Sequence, residues 1–157
     1  MMEGFQEADL TDAYKMLKGC ETCMIATKGV RDGQYNLTPI GWFMPMDYEP
    51  VTKVLFSTDP AHQCGRNILR TKEFALCVPK DPADAFIEQC GSVSAEDADK
   101  FQQFGIAGVP AGKIDVLIPA ERCAGWIECR LIKILREGSV DLVMGEAAAA
   151  FTAMQQD

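Results

Sequence analysis

The chain has 157 residues, of which 48% are hydrophobic and 24% charged, a composition typical of a soluble globular protein that folds as one domain. Its formal net charge of −8 disfavours non-specific binding to nucleic acid or to an anionic membrane. No apolar run approaches the roughly 20 residues needed to span a bilayer, and the acidic N-terminus lacks the pattern of a secretory signal. We therefore expect a single domain over residues 1–157 in the cytoplasm, without nucleic-acid or membrane partners.

The first half of the chain predicts a short helix followed by three strands. The helix spans about 9–18, with Asp9 as its N-cap. The strands are predicted at 23–27, 35–43 and 51–57. Pro45 and Pro50 restrict the segment before the third strand to a loop or to the edge of a sheet, because proline cannot donate to a central ladder.

The second half alternates short helices with strands. Asp59 and Pro60 predict a helix start, because a capping carboxylate precedes a proline at the first helical position. Further short helices are predicted from Pro82 and from a capping box at 94–97. Strands are predicted at 73–78, 113–118, 125–135 and 140–144. The Ala-rich tail, residues 147–157, is predicted to form a short terminal helix.

The long strand near the C-terminus changes its apolar face half-way. Ile127, Cys129 and Leu131 share one face. Ile132 and Ile134 lie on the other. A change of face within a strand indicates a β-bulge, or burial of both faces as in a barrel packed against a partner.

Six or seven strands joined by hairpin-type turns predict a mainly β fold. The pattern is typical of a small antiparallel β-barrel decorated with short helices. A parallel doubly wound sheet would need regular helical crossovers, which this pattern lacks. We expect the barrel to span about 21–146, between the N-terminal helix and the tail.

A segment around the end of the second predicted strand suits a flat heteroaromatic ring. Asn36 and Thr38 offer polar side chains, Gly41 permits close approach, and Trp42 and Phe43 offer aromatic walls. A flavin ring needs flat apolar contacts and donors aimed at its N5 and at its O2/O4 edge, where charge accumulates on reduction. The candidate ring-binding residues are Asn36, Leu37, Thr38, Pro39, Ile40, Gly41 and Trp42.

The next segment offers groups suited to a phosphate. The hydroxyls of Ser57 and Thr58, the free N–H groups at the predicted helix start and the guanidinium of Arg66 are convergent donors. His62, the only histidine, falls in the first turn of that helix, where its protonated ring would donate to a phosphate oxygen. Because flavin mononucleotide carries a flat ring and a phosphate, the two segments together predict an FMN site.

The cysteines point to a reducing compartment, because seven is an odd number and too few for a secreted disulfide scaffold. Cys20 and Cys23 form a lone Cys-x-x-Cys motif before a strand, whereas a thioredoxin-like motif opens a helix after a strand. Redox-active thiols remain an alternative to a buried structural role. A zinc site would need two further ligands, so no metal site is predicted. The chain lacks both Gly-x-Gly-x-x-Gly and Gly-x-Ser-x-Gly, which argues against a Rossmann-type nicotinamide site and a hydrolase triad.

A series of short motifs runs across about 23–146 in a fixed order. The motifs are Asp32-Gly33 with Asn36-Leu37-Thr38-Pro39-Ile40-Gly41-Trp42, Pro50-Val51, His62-x-Cys64-x-x-Asn67-Ile68, Glu73-Phe74-Ala75-Leu76-Cys77-Val78, Asp99-Lys100-Phe101, Gly105-Ile106, Ile127-Glu128-Cys129-Arg130 and Gly145-Glu146. No single motif is specific, but their order and spacing are. In this respect the chain resembles the flavin reductase-like family of FMN-binding split barrels, which includes the flavoredoxins.

The resemblance implies a split β-barrel that forms a homodimer, with one FMN, or FAD in its place, near each dimer interface. It also implies NAD(P)H as co-substrate and electron transfer from the flavin to an acceptor, which in some members is another protein. Carried over by position, Asn36, Thr38 and the segment through Trp42 would line the isoalloxazine ring. The residues on the phosphate and ribityl side would be Ser57, Thr58, His62 and Cys64. Cys64 stands where the family commonly has a hydroxyl residue.

Several functions stay open on this reading. The first is an FMN-binding oxidoreductase that takes a hydride from NAD(P)H onto the flavin and passes the electrons on. No catalytic side chain is predicted for it, because the protein would position and polarise the ring. The second is a non-enzymatic, flavoredoxin-like electron carrier. The third is a redox or metal sensor based on Cys20, Cys23 and Cys64, and a barrel that binds another cofactor such as haem is a further alternative.

Overall fold

The computed structural model describes residues 3–94 and 99–155. The strands in this part of the chain are β1 (Phe5–Glu7), β2 (Cys23–Lys28), β3 (Tyr35–Ile40), β4 (Phe43–Asp47), β5 (Lys53–Thr58), β6 (Glu73–Pro79), β7 (Val109–Pro110), β8 (Leu117–Ile118), β9 (Cys123–Glu137) and β10 (Val140–Ala153). The α-helices are α1 (Gln63–Thr71), α2 (Ala85–Gly91) and α3 (Lys100–Gln103), and 3₁₀ helices lie at Ala13–Leu17 and Ala120–Arg122.

One antiparallel sheet dominates the fold. Its strands run in the order β3-β2-β6-β9-β10-β5-β4, and β1 pairs with β10, while β7 and β8 form a separate pair. The strands at the two ends of this order, β3 and β4, are consecutive in the chain, with only Gly41 and Trp42 between them. The sheet therefore curls until its two ends meet at one short connection. This is the mainly β, antiparallel split barrel that the sequence predicts.

The main sheet has eight strands, where the sequence predicts six or seven in the whole barrel. The segment 35–43 forms two strands, because the chain bends at Gly41 and Trp42. β1 adds a further short strand. Pro45 lies within β4, at the end of the strand order, where a missing N–H costs no ladder hydrogen bond.

The C-terminal tail is a strand, and the predicted terminal helix is wrong. β10 continues to Ala153, and Ala150 pairs with Ile127 of β9. Alanine favours helix, but β9 and β1 both pair with this part of β10 and satisfy its backbone groups in the sheet. Tertiary pairing overrides the local preference, and the sheet extends beyond the predicted barrel limit at 146.

The helix predicted from Pro60 begins later, at Gln63. The Asp59 carboxylate accepts the N–H of Ala61 at 2.8 Å and closes a separate turn, so it does not cap the helix. The capping box predicted at 94–97 lies largely outside the described residues.

Two other predicted elements are shorter than expected. The N-terminal helix predicted at 9–18 is a 3₁₀ helix over Ala13–Leu17, and Asp9 instead closes a turn that precedes it. Of the strand predicted at 113–118, only Leu117–Ile118 forms a β-strand, which pairs with β7. Among the described residues, no helix has the length and apolar character needed to cross a membrane.

The bulge predicted in the long C-terminal strand is confirmed. Met144 of β10 lies opposite Lys133 of β9, whereas the next residue, Gly145, lies opposite Leu131. Ile132 is therefore an extra residue without a partner across the ladder. The insertion explains why the apolar residues of this strand change face.

Two apolar cores lie on the two faces of the sheet. The first contains Phe56, Ile68, Phe74, Ile127 and Val143. The second contains Met24, Leu37, Phe86, Phe101 and Trp126. Helix α1 contributes to the first core, whereas α2 and α3 contribute to the second. All three helices contact β3 and so surround the strand that carries most of the predicted ring-binding residues.

Candidate functional site

A cavity of about 330 Å³ opens where β3 meets the three α-helices. Its wall includes the end of α2 and the loop that follows. Its polar and charged lining includes Asn36 and Thr38 of β3, His62 and Gln63 at the start of α1, and Lys100 of α3. The described part of this wall contains no carboxylate.

Asn36 presents a buried oxygen that the chain does not satisfy. The residue is 2% exposed, and its Nδ2 donates to Thr38 Oγ1 at 3.3 Å. Its Oδ1 has no hydrogen-bond partner among the described residues. A buried acceptor without a donor costs free energy, so this geometry favours a bound molecule that supplies the donor.

Thr58, the last residue of β5, presents a second such atom. It is 5% exposed, and its Oγ1 has no hydrogen-bond partner in the described part of the chain. A Cβ placed on Gly65 would lie 3.6 Å from Thr58 Cγ2, so this side chain packs against the first turn of α1. The N–H groups of a first helical turn lack intrahelical partners. The side chain of His62, the N-cap residue, makes no hydrogen bond to them. An unsatisfied hydroxyl beside unsatisfied N–H donors suits an anion.

The predicted ring-binding residues divide between the cavity, the core and the surface. Pro39 lines the cavity together with Asn36 and Thr38. Leu37 and Ile40 point into the two cores and are buried. The remaining two predicted residues lie at the bend between β3 and β4, where Gly41 is exposed and Trp42 is 77% exposed.

The predicted phosphate-side residues also divide. His62 is exposed and lines the cavity. Ser57 is half-buried, and Arg66 is exposed and donates from Nη2 to the carbonyl of Ala61 at 2.8 Å. Cys64 is buried in the first core, so its side chain packs behind the cavity wall.

Lys100 is a cavity residue that the sequence analysis missed. It is 3% exposed, and its Nζ donates to the carbonyl oxygen of Leu37 at 2.8 Å. It forms no ion pair with a carboxylate in the described residues. Burial lowers the pKa of this ammonium, and the nearby thiols of Cys90 and Cys64 partly offset that effect. A buried cation without a counter-ion attracts an anionic ligand.

A lysine next to a helix cap is ordinarily solvated, so nothing in the local pattern singled Lys100 out. Its only signal was its position in the Asp99-Lys100-Phe101 motif. The burial comes from the packing of α3 against β3, which places Nζ beside the Leu37 carbonyl.

Burial disfavours the thiolate form of the cysteines near the cavity and of the Cys-x-x-Cys motif. Burial raises the pKa of Cys64 to about 12 and that of Cys90 to about 11. Burial likewise raises the pKa of Cys20, and it raises that of the fully buried Cys23 much further. Because the thiolate is the reactive form, the Cys-x-x-Cys motif lacks an activated nucleophile. Within the described residues, no three His, Cys, Asp or Glu side chains come together as metal ligands.

An open groove of about 530 Å³ borders the cavity at the Gly41 end of β3. We call it the outer groove. It is lined by Thr22, Gly41, Ile87 and Glu88, and it shares Pro39, Gly91 and Ser92 with the cavity. The cavity and the outer groove are therefore neighbouring sites separated by a shared wall at the end of α2.

The model of the flavin reductase like domain matches residues 20–157. The chain belongs to the flavin reductase-like family. Among curated proteins, the chain is similar to the uncharacterized protein YddH of Escherichia coli strain K12, with 27% identity over 150 residues. The alignment covers 95% of this chain and 79% of YddH.

Solved structures show the same fold. An FMN-binding domain of a flavin reductases-like enzyme from Shewanella baltica OS155 superposes with a TM-score of 0.79 and 22% identity, over 95% of this chain and 77% of that one. The flavoredoxin of Desulfovibrio vulgaris (Miyazaki F) superposes with a TM-score of 0.74 and 22% identity, over 83% of this chain and 68% of that one. At these identities the likeness establishes the architecture alone.

The residues at the cavity and at the adjoining start of α1 fit the flavin that this family implies. Asn36 Oδ1 and Thr58 Oγ1 are buried and unpartnered, and Lys100 is a buried cation without a carboxylate partner among the described residues. The start of α1 adds N–H donors. This set matches a ligand with ring N–H groups, carbonyl oxygens and a phosphate.

Proposed function

We propose that this protein is an FMN-binding oxidoreductase that takes a hydride from NAD(P)H onto the flavin and passes the electrons to an acceptor. The observation that carries the proposal is an unsatisfied buried oxygen of Asn36 and a buried cation, Lys100, at the β3 cavity, together with the unsatisfied hydroxyl of Thr58 beside the first turn of α1. Buried polar groups that the chain does not pair are rare and call for an external partner. The family assignment makes a flavin the natural choice.

In this proposal the ring of FMN occupies the β3 side of the cavity. Asn36 and Thr38 supply its polar contacts, and Pro39 supplies an apolar one. Gly41 and Trp42 lie at the end of the same strand, next to the outer groove. The ring would thus lie with one end toward the groove through which a small molecule reaches it.

The phosphate of FMN would lie at the start of α1. Thr58 contributes its free hydroxyl, the first helical turn contributes N–H groups, and His62 lies at the cavity rim. Ser57 and Arg66 lie on the same two elements and remain proposed ligands. We propose FMN rather than FAD, because the Shewanella protein with this fold is an FMN-binding domain.

The bound flavin would supply the hydride-accepting chemistry. The chain's own part is to bind, orient and polarise the ring. Lys100 places positive charge against the cavity in a water-poor setting, where charge stabilises an anion more strongly than it does in bulk water. The described cavity wall offers no carboxylate as a proton donor or acceptor, in keeping with a reaction that needs no side-chain acid–base pair.

Anaerobic reduction tests this proposal. The FMN-saturated protein would be mixed with NADH or with NADPH, and the visible flavin band followed over time. We expect one or both nucleotides to bleach the bound flavin faster than they bleach free FMN. Retained flavin that neither nucleotide reduces, although dithionite does, would contradict the reductase and favour an electron carrier.

The electron carrier is our second candidate, because the flavoredoxin of Desulfovibrio vulgaris shares the fold. In that case FMN occupies the same cavity, and the acceptor or donor is another protein. The anaerobic reduction described above separates the two functions, since the carrier needs no nicotinamide contact.

We further propose that the protein forms a homodimer through the outer face of the sheet. Met44, Leu55 and Met144 lie side by side across β4, β5 and β10. Leu135 of β9 is also exposed, and so is Trp42, which directly precedes β4. A contiguous apolar surface of this kind marks an interaction site.

The mass in solution tests the dimer. Met44→Asp should convert a dimer into a monomer in size-exclusion chromatography with light scattering. Leu69→Asp, at an exposed position of α1, is the matched control and should leave the mass unchanged. A monomeric unmodified protein would overturn this part of the proposal.

A reducing, cytoplasmic location is proposed on the state of the cysteines. All seven are free, and six are buried. Buried, unpaired thiols in this number are typical of proteins from reducing compartments. Fractionation of cells that express the protein tests the location.

A further inference from the structure

The outer groove carries a charge opposite to that of the cavity beside it. Lys100 is the lysine of the cavity wall, whereas Glu88 is the only charged side chain in the described lining of the outer groove. Pro39 and Ile87 provide apolar surface on the groove side. The groove therefore combines surface suited to a flat apolar molecule with a single negative charge.

The Glu88 carboxylate is available to a molecule in the groove. It lies in the first turn of α2 and is exposed. It makes no hydrogen bond or ion pair with any described residue. Its charge is therefore not neutralised within the described part of the protein, and a molecule in the groove experiences it directly.

We infer that the outer groove admits uncharged or cationic aromatic electron acceptors and discriminates against aromatic anions, and that Glu88 sets this preference. The inference rests on the proposed function, in which the acceptor gains the two electrons that the reduced FMN loses. Anionic FMN is held by the cationic cavity, while the acidic groove beside it favours a different class of molecule. The opposite charges keep an anionic acceptor from competing for the groove without weakening the cofactor site.

The expected size of the effect follows from the exposure of Glu88. An ion pair at an exposed site changes an affinity by about two- to fivefold. Salt screens such a pair, with a Debye length of about 10 Å at 0.1 M ionic strength. The preference should therefore be modest, and it should shrink as salt is added.

Three ring compounds of matched shape test the inference without any turnover. Benzamidine is a cation, benzamide is uncharged and benzoate is an anion. Each would be titrated into the FMN-saturated protein, with its dissociation constant measured by calorimetry and its proximity to the flavin by the shift of the visible flavin band. The variants are Glu88→Gln and Glu88→Lys. Glu137→Gln, at an exposed residue outside both linings, is a control with the same change in net charge as Glu88→Gln.

We expect the unmodified protein to bind benzamidine about fivefold more tightly than benzoate. Binding of benzamidine should also shift the visible flavin band. Glu88→Gln should remove most of this ratio, Glu88→Lys should reverse it, and Glu137→Gln should preserve it. An unchanged ratio in Glu88→Gln would overturn the inference, as would an equal loss of the ratio in Glu137→Gln or a failure of all three compounds to bind. FMN binding is measured first in every variant. A protein that does not bind FMN contradicts the proposed function, whereas one that binds FMN and ignores ligand charge contradicts only the inference about Glu88.

Discussion

Two buried polar sites in this protein differ in how far the chain satisfies them. Glu128 of β9 is fully buried, and its oxygens accept from the N–H of Gly112 at 2.9 Å, the N–H of Lys113 at 2.6 Å and Trp126 Nε1 at 3.1 Å. These donors come from a neighbouring loop and from the same strand. The Glu128 site thus fixes the loop before β8 to the sheet, and it has no need of a ligand.

The β3 cavity and the adjoining start of α1 are the contrasting case. Asn36 and Thr58 each bury an oxygen without a partner in the described residues, and Lys100 buries a cation that donates to the Leu37 carbonyl but pairs with no described carboxylate. Both sites cost desolvation, but only the first recovers that cost from the chain itself. Paired buried groups therefore hold the fold together here, whereas the unpaired ones lie where we expect an outside molecule to bind.

The largest effect is expected at the paired site. Glu128→Gln replaces one acceptor oxygen by an amide N–H₂ that faces protein donors, and it should lower the free energy of unfolding by about 3 kcal/mol. Urea denaturation measures this loss. Glu7→Gln, at an exposed residue of β1, should change the stability by less than about 0.5 kcal/mol. A Glu128→Gln protein that keeps its stability, with or without a loss of FMN affinity, would contradict the structural role of Glu128.

The next effect is expected at the cavity. Lys100→Met keeps the apolar stem and removes the charge, so FMN binding should weaken by about 2 kcal/mol, or roughly thirtyfold. The stability of the FMN-free protein should stay the same or rise, because an unpaired buried charge has been removed. Fluorescence titration and urea denaturation measure the two quantities. Lys80→Met, at an exposed position, is the control. Unaltered FMN affinity together with a large loss of stability would give Lys100 a structural role instead.

A pair of threonines sharpens the comparison at equal chemistry. The Thr27 hydroxyl accepts from Asn67 Nδ2 at 3.1 Å, whereas the Thr58 hydroxyl is unpartnered among the described residues. Thr27→Val should therefore lower the free energy of unfolding by about 1 kcal/mol and leave FMN affinity unchanged. Thr58→Val should instead weaken FMN binding by about 1 kcal/mol and leave the free energy of unfolding unchanged. Equal effects of the two substitutions on both measurements would contradict the assignment.

The smallest effect is a dependence of FMN affinity on pH. Burial lowers the pKa of Lys100 below its ordinary value of 10.5, so its charge is complete only below that lowered pKa. As the pH rises through it, the ammonium loses its proton and the attraction for the FMN anion weakens. Affinity should therefore fall as the pH approaches 10.5 from below. Lys100→Arg keeps its charge throughout this range and should lack this part of the fall. An identical pH profile in the variant would show that Lys100 does not cause it.

Much of the fold could be predicted because its signals are local. Gly33 of the Asp32-Gly33 motif adopts a positive φ, and β2 and β3 pair across it. The change of apolar face marked the bulge at Ile132. The run of alanines at 147–150 misled, since its strand state depends on β9 and β1, which are distant in sequence.

The candidate site was predictable where residues with suitable side chains lie close together in the sequence. Asn36 and Thr38 alternate on one strand and reach the same cavity. Lys100 was missed because its burial depends on the contact between α3 and β3. The start of α1 was misplaced because Asp59 satisfies a turn before the helix. Such choices are made by tertiary packing, which short sequence windows do not contain.

The most direct test of the account is the binding of FMN itself. Purified protein would be freed of ligand, titrated with FMN, dialysed and examined by its visible spectrum. The account predicts about one FMN per chain that survives dialysis, with an affinity that Lys100→Met lowers by roughly thirtyfold. A protein that neither retains nor rebinds FMN would contradict it, and the unpaired groups of the β3 cavity would then require another ligand.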